Sequence, residues 1–407
     1  MSTAATFLLL VLAIASLFAP LSRHARWHGL IYTAPPLFAG ICILARLVSL
    51  DEARQATAPL VAPLAFVLLA VPLALLLDEL GFFEVLAQRV AATRHFIGAG
   101  FILAAAVTAL LNLDAAVVLL TPLYARIAAR RGTSRLVLCL QPLLLSCLAS
   151  SALPISNLTN LIVASSGRLS LWAFLSHLGL PTLAASVTGW FTYRRSLGRA
   201  LAHDPPSAAL DGLRETPEGG RALILGGVIV VACVTGFLVV PELGGQAWEV
   251  AGAGDLLLIA LTRRLPLSEV PWRSIGTILG LGVLAAAGAQ HIAIGEVLTG
   301  SSPLDLLRSV AIAGGAANVV NNLPAVLVAL PTLSERSIWQ SFAVLLGANV
   351  APLALPTGTL AGLLWLETLR RLGIDFSERD FLRLAWRVAL PALAVAGATF
   401  ALGRAFA

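Results

Sequence analysis

Two interrupted apolar stretches limit this chain more tightly than anything else in it. LNLDAAVVLLTP, Leu111 to Pro122, lies in an apolar run that begins near Phe96, and its polar tripeptide Asn112-Leu113-Asp114 breaks that run. VNNLPAVLVALP, Val320 to Pro331, aligns with it without a gap: Asn112 falls on Asn321, Ala116 on Ala325, Val117 on Val326 and Pro122 on Pro331. Each half also carries a second break downstream, PISNLTN at Pro154 to Asn160 and PLALPTGT at Pro352 to Thr359. A helix broken at membrane depth leaves N–H and C=O groups unpaired, which is tolerated only where they are buried in protein or line a cavity. Paired interruptions at corresponding places in two halves therefore point to a solute site between repeats.

The solvent implied by these runs is lipid. With 58% hydrophobic residues, 12% charged and a mean hydropathy of +0.90, the chain is far from the roughly 25% charged of soluble domains. All 27 basic residues are Arg, so the net charge of +6 is permanent and reads as membrane topology rather than nucleic-acid binding. The expected fold is an all-α integral membrane protein.

In chain order, the first apolar run covers Ser2 to Leu21, with no positive residue before it and no small-residue cleavage site after it, so a first spanning helix is expected there. Further spans are expected at about 30–48 and 58–77, each near the ~20 residues a crossing needs. Residues 78–95, DELGFFEVLAQRVAATRH, mix charge with Phe82, Phe83, Val85 and Leu86 and read as an interfacial helix. The broken segment 96–128, a broken span over 136–166 and a span over 171–193 complete a first repeat, 1–193. The proline- and charge-rich stretch 194–221 reads as a cytoplasmic linker. A second repeat, 222–407, follows in the same order: spans at 222–240, 246–262 and 275–292, broken segments at 304–333 and 338–369, and a last span at 386–404.

If each segment around Asn112 and Asn321 is a re-entrant hairpin, each repeat crosses five times and the two repeats are inverted. The arginines agree. Placing the linker in the cytoplasm puts 21 Arg inside and 6 outside, the bias of the positive-inside rule, and leaves both termini external. Arg126, Arg130, Arg131 and Arg135 follow the first hairpin, whereas only Arg336 follows the second, so the hairpins are expected to enter from opposite sides.

Neutral donors and acceptors crowd the breaks: Asn112, Ser156, Asn157, Thr159, Asn160, Asn321, Asn322, Asn349, Thr357 and Thr359. Asp114 is the only acidic residue between Glu84 and Asp204. A carboxylate at membrane depth costs roughly 2.5–3.5 kcal/mol on insertion scales and normally lines a pathway. These eleven residues form the expected site, suited to a small polar inorganic solute or a coordinated cation. Each has a plainer reading. Asp114 could cap the second half-helix, since Asp is a favoured N-cap, and the Asn and Thr side chains could be interhelical hydrogen-bond glue.

LLLDELGFFEVLAQRVA (Leu75 to Ala91), LDAAVVLLTP (Leu113 to Pro122), ISNLTN (Ile155 to Asn160), VNNLPAVLV (Val320 to Val328) and LPTGTLAGLLWL (Leu355 to Leu366) resemble the arsenite efflux permeases of the ArsB type. These are related to NhaD sodium/proton antiporters and divalent-anion symporters. The resemblance implies an elevator-type exchanger that moves arsenite or antimonite outward against protons, with the hairpin tips and helix breaks at the substrate site. It implies a plasma (inner) membrane location. This chain departs from the pattern at Leu113, where the family carries Asn, before the first break, where CLASSALP holds no acid, and at Asn349, where the family carries Asp. Proton coupling would then rest on Asp114.

Other chemistries leave little trace. GAGD at Asp255 is similar to the Gly-x-Gly-Asp of intramembrane aspartyl proteases, a reading that requires Asp255 and Asp114 to face each other. Cys42, Cys139, Cys147 and Cys233 are scattered singly in apolar spans; Cys139 and Cys147 lie about 12 Å apart on a helix, too far to chelate one atom, so small-hydrophobe packing is expected. There is no Walker A loop, HExxH or GxSxG in the sequence. Energy is expected from a transported H+ or Na+ or from a separate ATPase subunit, and no other cofactor is expected. A sodium/proton antiporter or carboxylate symporter on the same fold stays open, as does a homodimer through scaffold domains.

Overall fold

The computed structural model describes residues 2–17, 29–197, 219–267, 270–289, 294–333, 336–375 and 377–406. Every regular element among them is helical. The first half comprises α1 (Ser2–Leu17), α2 (Leu30–Leu44), α3 (Leu50–Thr57) running through a 3-10 turn into α4 (Val61–Glu79), α5 (Phe82–Ala92), α6 (Phe96–Leu110), α7 (Leu113–Arg131), α8 (Arg135–Leu148), α9 (Leu158–Gly167) and α10 (Leu171–Phe174), which continues through a π turn into α11 (Leu180–Leu197). The second half comprises α12 (Gly219–Val239), α13 (Ala247–Thr262), α14 (Trp272–Ala289), α15 (Ile294–Val297), α16 (Pro303–Val320), α17 (Asn322–Leu333), α18 (Ile338–Val350), α19 (Leu360–Arg371) and α20 (Glu378–Phe406). Residues 18–28 and most of the expected linker, 198–218, lie outside the described residues.

Among the described residues, four continuous helical stretches are long and apolar enough to cross a bilayer: Leu50–Glu79, Leu171–Leu197, Gly220–Leu243 and Phe381–Phe406. Large apolar side chains such as Ile102, Phe191, Ile224, Val231 and Leu256 point outward, with exposures of 65–72%. In water such surfaces would drive association; in lipid they meet their own kind. The protein is a multi-pass helical membrane protein.

The third span begins eight residues before the apolar run that predicts it. Ser49 Oγ accepts from the N–H of Glu52 while Glu52 Oε2 accepts from the N–H of Ser49, a capping box that starts α3 on polar residues. The expected interfacial helix is α5. It turns off α4 at Gly81, whose φ of 78° suits glycine, buries Phe82, Phe83, Val85, Ala87 and Val90, and leaves Arg89 exposed.

Helix pairings recur between the halves. α2 packs on α14 and α4 on α13; α6 packs on α8 and α16 on α18; α11 and α20 pack on each other. Each broken helix carries a glutamine that ties it to the mouth of its hairpin. Gln141 of α8 donates to the carbonyl of Ile97 at 2.9 Å, and Gln340 of α18 to the carbonyl of Gly300 at 2.5 Å. α6 and α17, of 15 and 12 residues, reach only about 22 and 18 Å at 1.5 Å per residue, short of a ~30 Å hydrocarbon core.

Candidate functional site

All four breaks are built alike: the residue at the break turns extended or left-handed, and its side-chain oxygen caps the helix that follows. Asn112 Oδ1 accepts from the N–H of Asp114 at 2.8 Å, at the start of α7. Asn157 Oδ1 accepts from the N–H of Thr159 at 3.2 Å, at the start of α9. Asn321 Oδ1 accepts from the N–H of Leu323 at 3.3 Å, entering α17, and Thr359 Oγ1 accepts from the N–H of Gly362 at 3.0 Å, entering α19. Asn and Thr suit this work because their short side chains reach the first-turn N–H groups that no intrahelical carbonyl can satisfy. The cap considered for Asp114 is taken by Asn112, two residues earlier, and this frees the carboxylate for the cavity.

These four helix starts converge on one cavity of about 50 Å³. Leu113 and Asp114 enter it from α7, Leu158 and Thr159 from α9, Asn322 and Leu323 from α17, and Leu360 and Leu363 from α19, with Asn157 and Asn321 at the breaks. A second wall comes from helices without breaks: Tyr32 of α2, and Ser274, Thr277, Ile278 and Leu281 of α14. Its volume exceeds the roughly 10–15 Å³ that seats one water and falls well short of the ~300–1,000 Å³ of drug-sized sites. It fits a solute of a few heavy atoms.

Each helix N-terminus carries roughly half a positive charge, so four pointed at one cavity favour oxygen-rich, electron-rich groups. Among the residues lining the cavity there is no arginine, and Asp114 is the only carboxylate. Its Oδ1 is buried without a hydrogen-bond partner among the described residues. Such an oxygen is costly to leave unmet, and a bound proton, cation or hydroxylated solute would meet it.

Of the eleven residues expected at the site, five line the cavity: Asp114, Asn157, Thr159, Asn321 and Asn322. The other six sit behind it. Asn112 and Thr359 are caps. Ser156 Oγ is turned to the carbonyls of Ser150 at 2.6 Å and Leu153 at 2.7 Å. Thr357 offers its backbone carbonyl to Asn321 Nδ2 at 2.9 Å, while Asn322 N–H donates to the Gly358 carbonyl at 2.8 Å, so the tip of the second hairpin is docked on the second break.

Asn349 and Asn160 form a seam between the halves. Asn349 Oδ1 accepts from Asn157 Nδ2 and Thr159 Oγ1, both at 2.9 Å, and Asn349 Nδ2 donates to Asn160 Oδ1 at 2.8 Å and Ser151 Oγ at 3.3 Å. Asn160 Nδ2 in turn donates to the carbonyls of Ser150 and Leu153. All four bonds that the Asn349 amide can make are used within the protein. It positions Asn157 and Thr159 and has no capacity left for a solute.

Tyr32, Ser274 and Thr277 are polar lining residues that the sequence pattern does not single out. They lie near the starts of unbroken helices, where a lone polar residue carries no pattern. Asp255 is absent from the cavity lining; α13, which carries it, packs on α4 and α12, and Gly254 beside it abuts Leu73 and Cys233. All four cysteines are buried and unpaired in disulfides, with Cys139 Sγ against the Thr121 carbonyl at 3.3 Å.

A family model described as citrate transporter (CitMHS) matches residues 1–358. The arsenical pump membrane protein of Yersinia enterocolitica is 27% identical over 441 aligned residues, covering 97% of this chain and 96% of that protein. The arsenical pump membrane protein of Escherichia coli K12 is 26% identical over 367 residues, covering 82% of this chain and 84% of that protein. Paired helix breaks, a cavity of joined half-helix starts and this match over most of the sequence agree: the chain belongs to the citrate transporter family and is a multi-pass membrane permease of the ArsB type, not an enzyme.

Proposed function

We propose that this protein exports arsenite, and antimonite with it, in exchange for protons. The observation that carries the reading is the convergence of four capped half-helix starts on a small cavity holding one carboxylate and no arginine. Arsenite as its neutral trihydroxide is small and carries only hydroxyl groups, which act as donors and acceptors at once. Asn157, Thr159 and Asn322 supply matching partners, the helix starts favour its oxygens, and Asp114 accepts a hydroxyl proton when ionised. A protonated Asp114 keeps only a neutral, weaker acceptor, because the charge that strengthened the bond is gone. Proton and solute thus compete for one group, the minimum an exchanger requires.

The transport cycle follows from which parts are joined. The broken helices α8–α9 and α18–α19 are joined by the Asn349 seam, the α16–α17 hairpin is docked on α18–α19 at Thr357, and the α6–α7 hairpin packs on α8 and α19. The opposite wall, from α2 and α14, touches them across the cavity. The recurring pairings support two inverted repeats, 1–193 and 222–407 joined by the 194–221 linker, each with five crossings and one re-entrant hairpin. An elevator motion would carry the hairpins and breaks past the α2–α14 wall. Tyr32 and Ser274 lie in the first turns of their helices, with Arg273 next to Ser274, at the arginine-rich end assigned to the cytoplasm. On this reading the cavity is inward-facing, in a plasma membrane with both termini external.

Carboxylate symport is the second reading, favoured by the family's description and by the affinity of helix starts for anions. Inside-out vesicles separate the two. The arsenite reading expects uptake of arsenite driven by an inside-acid gradient, without sodium and without competition from citrate. Citrate uptake that needs sodium, with no arsenite movement, would transfer the function to the symporter class.

A further inference from the structure

We propose that the cavity of about 510 Å³ between the start of α6 and the end of α11, lined by Arg94, His95, Phe96, Ile97, Gly98, Trp190 and Arg194, binds the phosphate headgroup of an anionic membrane phospholipid. It shares no residue with the transport cavity and has a different chemistry. Arg94 and Arg194 are exposed and have no ion pair among the described residues. Arg194 lies over the ring of Trp190, 5.5 Å from its centroid, which holds one guanidinium at the rim. The neighbouring Arg131 covers the Phe96 ring at 4.8 Å and donates to the Thr93 carbonyl at 2.7 Å, fixing the approach to α6.

The backbone adds a third donor set. α6 is a 15-residue helix whose N-cap, His95, makes no side-chain cap. Its first-turn N–H groups have no intrahelical acceptor, and the first-turn residues Phe96, Ile97 and Gly98 line the same cavity as the two arginines. A helix start with arginine forks beside it is a phosphate site in its donors and in its field.

The apolar surface that runs on from the cavity is what selects a lipid over a soluble anion. Leading away from Arg194 along α11, Phe191, Val187, Leu183 and Leu180 are exposed at 66, 46, 58 and 64%, a stripe at helical spacing that ends at the arginine. Ile102, one and a half turns into α6, adds a further outward apolar surface at 70% exposure. An acyl chain laid along this stripe brings its phosphate to Arg194 and Arg94. Trp190, in the last two turns of α11 beside Arg194, is of the side-chain type enriched at the membrane interface.

The test uses the purified full chain in a neutral detergent, with thermal unfolding read while phosphatidylglycerol, phosphatidylcholine or inorganic phosphate is added. Phosphatidylglycerol is expected to raise the melting temperature saturably, phosphatidylcholine and inorganic phosphate far less. In R94Q/R194Q the concentration needed should rise roughly ten-fold or more, the equivalent of about 1.4 kcal/mol. R89Q/R263Q, which removes the same charge elsewhere, should behave as the native chain. Equal weakening in both double variants would reduce the effect to bulk charge, and equal stabilisation by inorganic phosphate would make the site one for soluble anions. A melting point that falls in R94Q/R194Q before any lipid is added, with no lipid response lost, would mean that the arginines serve the protein itself. Each of these three results overturns the proposal.

Discussion

Replacing Asn349 by Leu removes an amide of similar size whose four hydrogen bonds all stay inside the protein. Asn157 Nδ2, Thr159 Oγ1, Asn160 Oδ1 and Ser151 Oγ each lose a buried partner; Asn349 itself is 1% exposed. A buried polar group left unmet costs about 1–3 kcal/mol, so four of them set an upper range of roughly 4–12 kcal/mol before rotamer changes recover some of it. Even the lower bound is a large share of the ~5–15 kcal/mol that holds a typical fold. For a chain of this size it corresponds to a fall in melting temperature on the order of 5 °C or more. Asn349→Asp keeps the acceptor for Asn157 and Thr159 but sets oxygen against Asn160 Oδ1, and it should fall between Leu and native. The control is Ser146→Ala, whose hydroxyl bonds the Leu143 carbonyl of its own helix, with an expected loss under about 1 kcal/mol. Thermal unfolding of the purified chain in detergent reads all three. An N349L protein that melts within a degree or two of native would refute the claim that this amide joins the halves.

Three further outcomes follow from other contacts. Asn321 combines a φ of 76° with a cap and a bond to Thr357; Asn321→Gly keeps the backbone and loses both bonds, whereas Asn321→Ala adds strain of about 1 kcal/mol as well, so Ala should melt below Gly, and the reverse order would contradict this account of the tip. Gly347→Ala puts a methyl group inside van der Waals distance of the Val310 carbonyl in α16; the expected result is loss of folded protein on size-exclusion chromatography, and normal yield with native activity would count against close packing of α16 and α18. Thr359→Ala removes the cap of α19, at a cost of about 1 kcal/mol, and should lower the melting temperature by a degree or two while leaving solute selectivity unchanged; a switch in selectivity would move Thr359 from cap to ligand.

Much of this architecture is legible in the sequence because broken helices at membrane depth have a signature. Asn112 and Asn321 align, and each proves to be the cap at the tip of its hairpin. The breaks at Asn157 and Thr359 are legible for the same reason, since polar residues that interrupt an apolar run survive in a membrane only where protein or a cavity meets them. What is hidden is which polar atom turns where. Asn112 and Asp114 are both good caps, and only the backbone reveals that Asn112 takes the role and leaves the carboxylate free. Asn349 reads as a site residue from its type and depth, but its partners lie 189–198 positions away, a pairing that no local pattern encodes. Tyr32, Ser274 and Thr277 reach the cavity only because α2 packs on α14. The linker expected at 194–221 falls largely outside the described residues.

The central claim is that Asp114 is the group for which proton and solute compete. The direct measurement is arsenite uptake by inside-out vesicles under an inside-acid gradient, for the native protein and Asp114→Asn, beside arsenite counterflow with no gradient. Asp114→Asn, folded to the native melting temperature, is expected to lose gradient-driven accumulation by at least roughly ten-fold, the equivalent of about 1.4 kcal/mol. Full proton-driven accumulation in that variant would contradict the claim and place the coupling elsewhere in the membrane.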